Sequence, residues 1–296
     1  SKKEFPRHII KMANSKKKKP ILMTVLYRQV PCSGILTTLF SICLVFGAKA
    51  QIASDYKVYR ELYPNSHSVR LNQESQLNIE LEDGRFHITQ SFVEEDIYLD
   101  ESARHNAKQS LNFSSFYDIE NIEATSYALN GDEYEELRVS DFKEKDDLGD
   151  AFYDDVKSVN FIFPRLGTGT KTRLTYEQII KNPRFLNAHY FGNFYPILKN
   201  KLTIVADKDI KLRFEEFNMD DVDIKFTKKE TRKNNVYTWE LKNIDEFKYE
   251  SKTPTYKSIL PHIIPIVVSY RHNDRLINIG NDAVSYTHLT LPTKRI

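Results

Sequence analysis

Cysteine is nearly absent from this sequence. Its 296 residues hold two, Cys32 and Cys43, both within the first fifty. A chain that loses that segment on export would have no disulfide, no thiolate metal site and no cysteine nucleophile. Long apolar runs are also lacking. The longest, Gly34 to Phe46, has 13 residues, whereas a spanning helix needs ~20. Catalytic motifs are missing too: no Gly-x-Ser-x-Gly elbow, no Gly-x-x-x-x-Gly-Lys phosphate loop and no His-Glu-x-x-His pair occurs. The histidines of residues 51–283, His67, His87, His105, His189, His262 and His272, never stand four apart. They read as isolated structural residues, with His87 facing outward on a hairpin. No fixed internal repeat is visible.

The short apolar run has a context. Lys16 to Lys19 precede it and Ala48-Lys49-Ala50 follow it, the layout of a cleavable export signal. Met12 is the first candidate start and Met23 the second, residues 1–11 are expected to be upstream read-through, and cleavage is expected after Ala50. A lipid-modified cysteine is not expected, because the bulky Ile42 precedes Cys43. At the other end, Val284 to Thr293 reads as the translation of a transposase sequencing adapter, so residues 284–296 are expected to be a scar. The folding unit is therefore expected to be residues 51–283, in the periplasm or cell envelope, touching a membrane only during export.

Setting the ends aside reverses the charge. They carry 12 of the 43 basic residues and one of the 41 acids, which leaves 31 basic residues against 40 acidic and a net charge of −9. An acidic domain argues against nucleic acid as a partner, since phosphate binding needs clustered cations.

What is present is period-2 alternation. Leu77, Ile79 and Leu81 lead through Asp83-Gly84 to Phe86 and Ile88, a strong hairpin signal. Val159, Phe161 and Phe163 alternate, as do Thr170, Thr172, Leu174 and Tyr176. Later runs are Leu202-Ile204-Ala206, Ile210-Leu212-Phe214, Ile224-Phe226, Tyr237-Trp239-Leu241 and Phe247-Tyr249. Asn234-Asn235 is expected as a turn. Residues 101–113 are the one moderate helical candidate and read equally as a loop. Many short strands with turn signals predict an all-β chain, a two-layer antiparallel β-sandwich or two packed sub-domains. Trp239, the one tryptophan, is expected in the core between Tyr237 and Leu241.

Two features invite a binding reading. Acidic residues crowd Asp141 to Asp155 and again Asp220, Asp221 and Asp223, but the Asp-x-Asp-x-Asp-Gly order of a calcium loop is missing. Solvated loops are expected there, with no metal and no cofactor. Tyr190, Phe191, Phe194 and Tyr195 would form a platform for sugar rings if exposed, and core if buried.

The order of several segments resembles a known family. Phe163-Pro164-Arg165-Leu166-Gly167-Thr168-Gly169-Thr170 is followed by Leu174-Thr175-Tyr176. Tyr195-Pro196-Ile197 precedes a strand, and then come Tyr237-Thr238-Trp239-Glu240, Glu250, Pro254, Pro261 and Pro265. Together, over roughly residues 55–270, they resemble the domain of unknown function family 3857. Gln178 departs from the pattern, standing where a second aromatic is expected after Tyr176. The resemblance implies a two-layer β fold without catalytic residues of its own. It also implies a place at the N-terminus of secreted bacterial proteins, often ahead of a transglutaminase-like core with a Cys-His-Asp triad. On this basis the expected function is a non-catalytic accessory domain whose partner is such a core. The rivals are a carbohydrate-binding or adhesion module and a carboxylate-based hydrolase.

Overall fold

The computed structural model describes residues 56–131, 133–146, 156–220, 222–248 and 255–279. The expected export signal, the expected adapter-derived end, most of the first acidic loop, Asp221, Tyr249, Glu250 and Pro254 lie outside the described residues.

The chain is all-β. The longest strands are β1 (Ser68–Glu82) and β2 (Arg85–Tyr98), followed by β3 (Lys108–Phe113), β4 (Tyr117–Asn130), β5 (Glu133–Arg138) and β6 (Lys143–Asp146). Then come β7 (Lys157–Ile162), β8 (Lys171–Ile180), the two-residue β9 (His189–Tyr190), β10 (Ile197–Asp207) and β11 (Ile210–Phe217). The last are β12 (Lys225–Glu230), β13 (Asn234–Ile244), β14 (His262–His272) and β15 (Arg275–Asn278). Eight of them form one large sheet in the order β12-β13-β10-β1-β2-β8-β4-β5. A second sheet has the order β11-β14-β15 with β9 beside β14, and a third has β3-β7-β6.

The second and third sheets share one face of the large sheet, as two-residue periodicity requires. On that face Leu77 faces Ile204 of β10 and Gln90 of β2, and Ile204 faces Tyr237. Leu77, Ile79, Ile88, Leu202, Ile204, Trp239 and Leu241 pack there against Ile210, Ile263 and Val267 of the second sheet. Farther along the face, Tyr98, Ala124 and Leu174 meet Phe161, Phe163 and Leu166 of the third sheet and its exit loop. The predicted two-layer arrangement therefore holds, with the second layer divided. Trp239 is 2% exposed and touches Phe214 of the opposing sheet, edge to face, at 4.8 Å.

Several local expectations are borne out. Asp83 and Gly84 both have positive φ, 49° and 77°, as a two-residue hairpin turn requires, and they join Glu82 to Arg85. His87 is exposed on the far face.

Other expectations are corrected. One pairing, β1 with β10, is parallel. A parallel pair needs a long crossover, and here the whole stretch from β2 to β9 supplies it. Asn234 and Asn235 lie in β13 opposite Asp207 and Ala206. The turn precedes them, closed by Thr231 N–H donating to Asn234 O. Residues 101–113 are a short 3₁₀ turn, Glu101–Asn106, and then β3. Phe226 is half exposed, because β12 is the edge strand, and leans on Trp239. A helix at residues 56–62, α1, was not foreseen. With Tyr63 just beyond it, its Tyr56 and Tyr59 cover Val69, Ile97 and Leu99 on the other face of the large sheet.

Candidate functional site

The inward face carries a polar band between the two apolar patches that the smaller sheets cover. Phe86 and Ile88 set the parity of β2, and two-residue steps put Gln90, Phe92, Glu94 and Asp96 on the same face. A bulge in β1 between Arg70 and Asn72 turns Arg70 to that face as well, directly opposite Asp96.

Arg70 is the hub of the band. Its Nε donates to Asp96 Oδ1 at 2.8 Å and its Nη2 to Asp96 Oδ2 at 3.0 Å. Its Nη1 lies 2.9 Å from Glu94 Oε2, and the Tyr195 ring lies 5.1 Å from the guanidinium carbon. Such a fork satisfies the charge geometrically. Burial opposes the Arg70 charge, but Asp96 and Glu94 outweigh it and hold the guanidinium pKa well above its usual value. Burial raises the Glu94 carboxyl, with Arg70 acting against that rise. Tyr98, Tyr176 and Tyr195 line the same band, and burial raises each phenol. Asp96 continues sideways to Thr172 and Thr172 to Ser126. Ser126 Oγ, fully buried, has no hydrogen-bond partner among the described residues.

A second polar group lies beside the first. Gln90 donates to Ser75 Oγ at 2.8 Å, and Asn187 donates to Gln90 Oε1 at 3.1 Å and to Gln178 Oε1. Gln178 thus binds the crossing segment, which gives a physical reason for an amide where an aromatic was expected. Asn200, wholly buried, meets His189 Nε2 at 2.7 Å and donates to Tyr190 O at 2.9 Å. Burial lowers the His189 pKa to about 4. The stretch between β8 and β10 is pinned to the large sheet by these bonds.

That stretch holds the four aromatic candidates, and they do not form a platform. Phe191 is 0% exposed and belongs to the core, so it is withdrawn as a ligand contact. Tyr195 is half-buried over Arg70. Tyr190, half-buried, stacks on His262, which stacks in turn on Phe217, with centroids 4.9 and 4.7 Å apart. Phe194 is 47% exposed and meets Phe247 edge-on. The four side chains face different surroundings because Tyr190 ends the short strand β9, Phe191 follows it on the buried side, and a loop turns the other two. Neither acidic cluster gathers three metal-ligating side chains among the described residues.

The Arg70, Glu94 and Asp96 cluster was missed in the sequence. A signal existed, since carrying the Phe86–Ile88 parity forward to Asp96 places two acids inward. Its chemistry differs from a hydrolase pair. Glycoside cleavage uses two carboxylates facing each other across a cleft at ~5–10 Å. Here they are two residues apart on one strand and share one guanidinium.

A layered all-β domain with a clamped interior is the class the fold defines. The family model for the Domain of Unknown Function DUF3857 matches residues 82–248, and the chain belongs to that family. Among curated proteins none matches. Among solved structures, a Parabacteroides distasonis protein described as a "putative protease" shares the fold with a TM-score of 0.57 and 15% identity. The alignment covers 67% of this chain and 40% of that one, so the chain spans well under half of that protein. The M1 zinc metallopeptidase of Deinococcus radiodurans aligns with a TM-score of 0.36 at 12% identity, over 67% of this chain and 42% of that one.

Proposed function

We propose that the chain is the non-catalytic, N-terminal accessory domain of an exported transglutaminase-like protein of the periplasm or cell envelope. The observation that carries this reading is the clamp. The inward-facing acids, Glu94 and Asp96, are spent on Arg70, between strands and beneath Tyr195. Groups so held stiffen a scaffold and are not poised to move protons. Family membership supports the accessory role, as does the fold's share of a longer protein described as a protease. The partner proposed is a following transglutaminase-like core that brings its own Cys-His-Asp triad. Nucleic acid is not proposed as a partner, and contact with a membrane is confined to export.

The test expresses the protein in a Gram-negative host. Fractionation and mass spectrometry should find a periplasmic chain beginning at Gln51, which neither hydrolyses nor cross-links peptides and ignores thiol alkylation. Turnover that survives repurification and vanishes in Glu94→Gln or Asp96→Asn would overturn the reading in favour of a carboxylate hydrolase.

A further inference from the structure

The outer face of the second sheet is apolar where a water-facing sheet should be polar. Its central strand, β14, carries six apolar residues in a row, Ile263 to Val268. A strand with one wet face alternates, whereas an unbroken apolar run belongs to a strand covered on both sides. Ile263, Pro265 and Val267 are buried, and Ile263 and Val267 belong to the core. Ile264 and Ile266 point the other way, beside Glu215 and Arg213 of β11. A bulge opposite Lys211 and Leu212 brings Val268 to the same outer side. None of these three packs against the core, and each is partly exposed. Leu276 of β15, 66% exposed, extends the stripe.

The stripe ends in a groove of about 300 Å³ beside the β10–β11 turn. Lys208, Lys211 and Arg271 line this groove, with Asp209 as its one acid. The three cations enter no ion pair among the described residues. Farther along the stripe, Arg213 and Glu215 pair with each other at 2.9 Å. The cations at the groove are therefore left for carboxylates from outside the domain.

β15 brings the chain to this face. The Ile279 N–H donates to Val268 O at 3.0 Å. The Ile279 carbonyl accepts from Arg184 Nε at 3.0 Å and Nη2 at 2.6 Å. Its side chain is in the core. At Ile279 the chain is thus fixed beside the stripe. Because β15 is antiparallel to β14, it is heading from Val268 toward Ile264.

We propose, resting on the accessory-domain reading, that this stripe and its basic groove are the docking surface for the transglutaminase-like core. The matching core surface is apolar at its centre and acidic toward Lys208, Lys211 and Arg271. Continuity of the chain selects this occupant. A domain joined at Ile279 is held over the stripe at high effective concentration. A modest apolar contact is then enough, as between domains of one chain, where a separate partner needs a larger one.

The absence of cysteine from residues 51–283 supplies the probe. Leu276→Cys and Ile266→Cys report on the stripe, and Gln76→Cys, exposed on the far face of the large sheet, is the control. Each is made in residues 51–283 and in the natural protein read on past Ala283. Alkylation is followed peptide by peptide with mass spectrometry. In residues 51–283 the thiols at 276 and 76 should react at similar rates. In the natural protein those at 276 and 266 should react at least ~10-fold more slowly, because a covered thiol reacts only through an open form. The thiol at 76 should be unchanged. Adding Lys208→Glu, Lys211→Glu and Arg271→Glu should return most of the lost reactivity, since like charges would then meet.

A natural protein that carries the core and leaves position 276 as reactive as in residues 51–283 would overturn the docking surface while the accessory reading stands. A natural protein without such a core would overturn both. Protection that ignores the three reversals would overturn the acidic partner surface. Leu276 is an exposed edge-strand residue, so its variant decides the matter even if Ile266→Cys fails to fold.

Discussion

Arg70 and Asp96 sit directly opposite each other on β1 and β2 and share two hydrogen bonds, at 2.8 and 3.0 Å. The pairing depends on the bulge in β1, without which Arg70 would point to the other face and the half-buried Asp96 would lose its counter-ion. Glu94 takes the remaining arm of the guanidinium. Two strands, a bulge and the segment carrying Tyr195 are thereby fixed by one side chain.

Replacing Arg70 by Met should destabilise the domain by ~3–5 kcal/mol, because breaking a buried pair leaves the opposite charge uncompensated. Adding Glu94→Gln and Asp96→Asn to that variant should restore much of the loss. Urea denaturation of the wild type, the single variant and the triple variant measures both effects. A single variant as stable as the triple would show that the acids are solvated.

His189 predicts a dependence on pH. Its pKa is lowered by burial to about 4 in the fold, against ~6.5 for an unperturbed histidine. The unfolded chain therefore binds the proton first. Stability from the neutral, buried ring is fully present above the unfolded pKa and is lost as pH falls through ~6.5 toward 4, by up to ~3 kcal/mol. Chemical denaturation at pH 7 and pH 4.5 should show that slope, and His189→Gln should flatten it. An unchanged slope would assign the acid sensitivity elsewhere.

Trp239 is 2% exposed and bears on rings from both sheets. Trp239→Ala should cost ~3–5 kcal/mol, the range for large-to-small core changes. Thermal melts of the two proteins suffice, and a shift within error would place the indole on the surface.

Gly169 ends the Pro164 to Gly169 loop with φ +78°, and a Cβ there would come 2.7 Å from Leu129 Cδ2. Its carbonyl also accepts from the Tyr134 hydroxyl at 2.9 Å. Gly169→Ala should lower stability by ~1–3 kcal/mol through backbone strain and the forced shift of Leu129. Gly131, also at positive φ, has nothing within 4 Å, so Gly131→Ala should cost less. Equal losses would mean that backbone strain alone matters.

Alternation by itself determined that the chain is β, where its long strands run and which residues enter the core. Leu77, Ile79, Trp239 and Leu241 needed only the two-residue period of an extended chain. The Asp83-Gly84 hairpin needed only the tolerance of those residues for positive φ. Sequence order also carried the family resemblance. Tertiary structure alone decided which strands are neighbours, for the parallel pairing of β1 with β10 joins residues far apart in the chain. It decided that β10 and β11, adjacent in sequence, belong to different sheets. It also decided that the aromatics between β8 and β10 disperse, with Phe191 sunk in the core and Phe194 left outside. The bulge at Arg70 is the sharpest case. One extra residue reverses every side chain that follows, and no local pattern announces it, because its stabilisation comes from carboxylates on the strand next door.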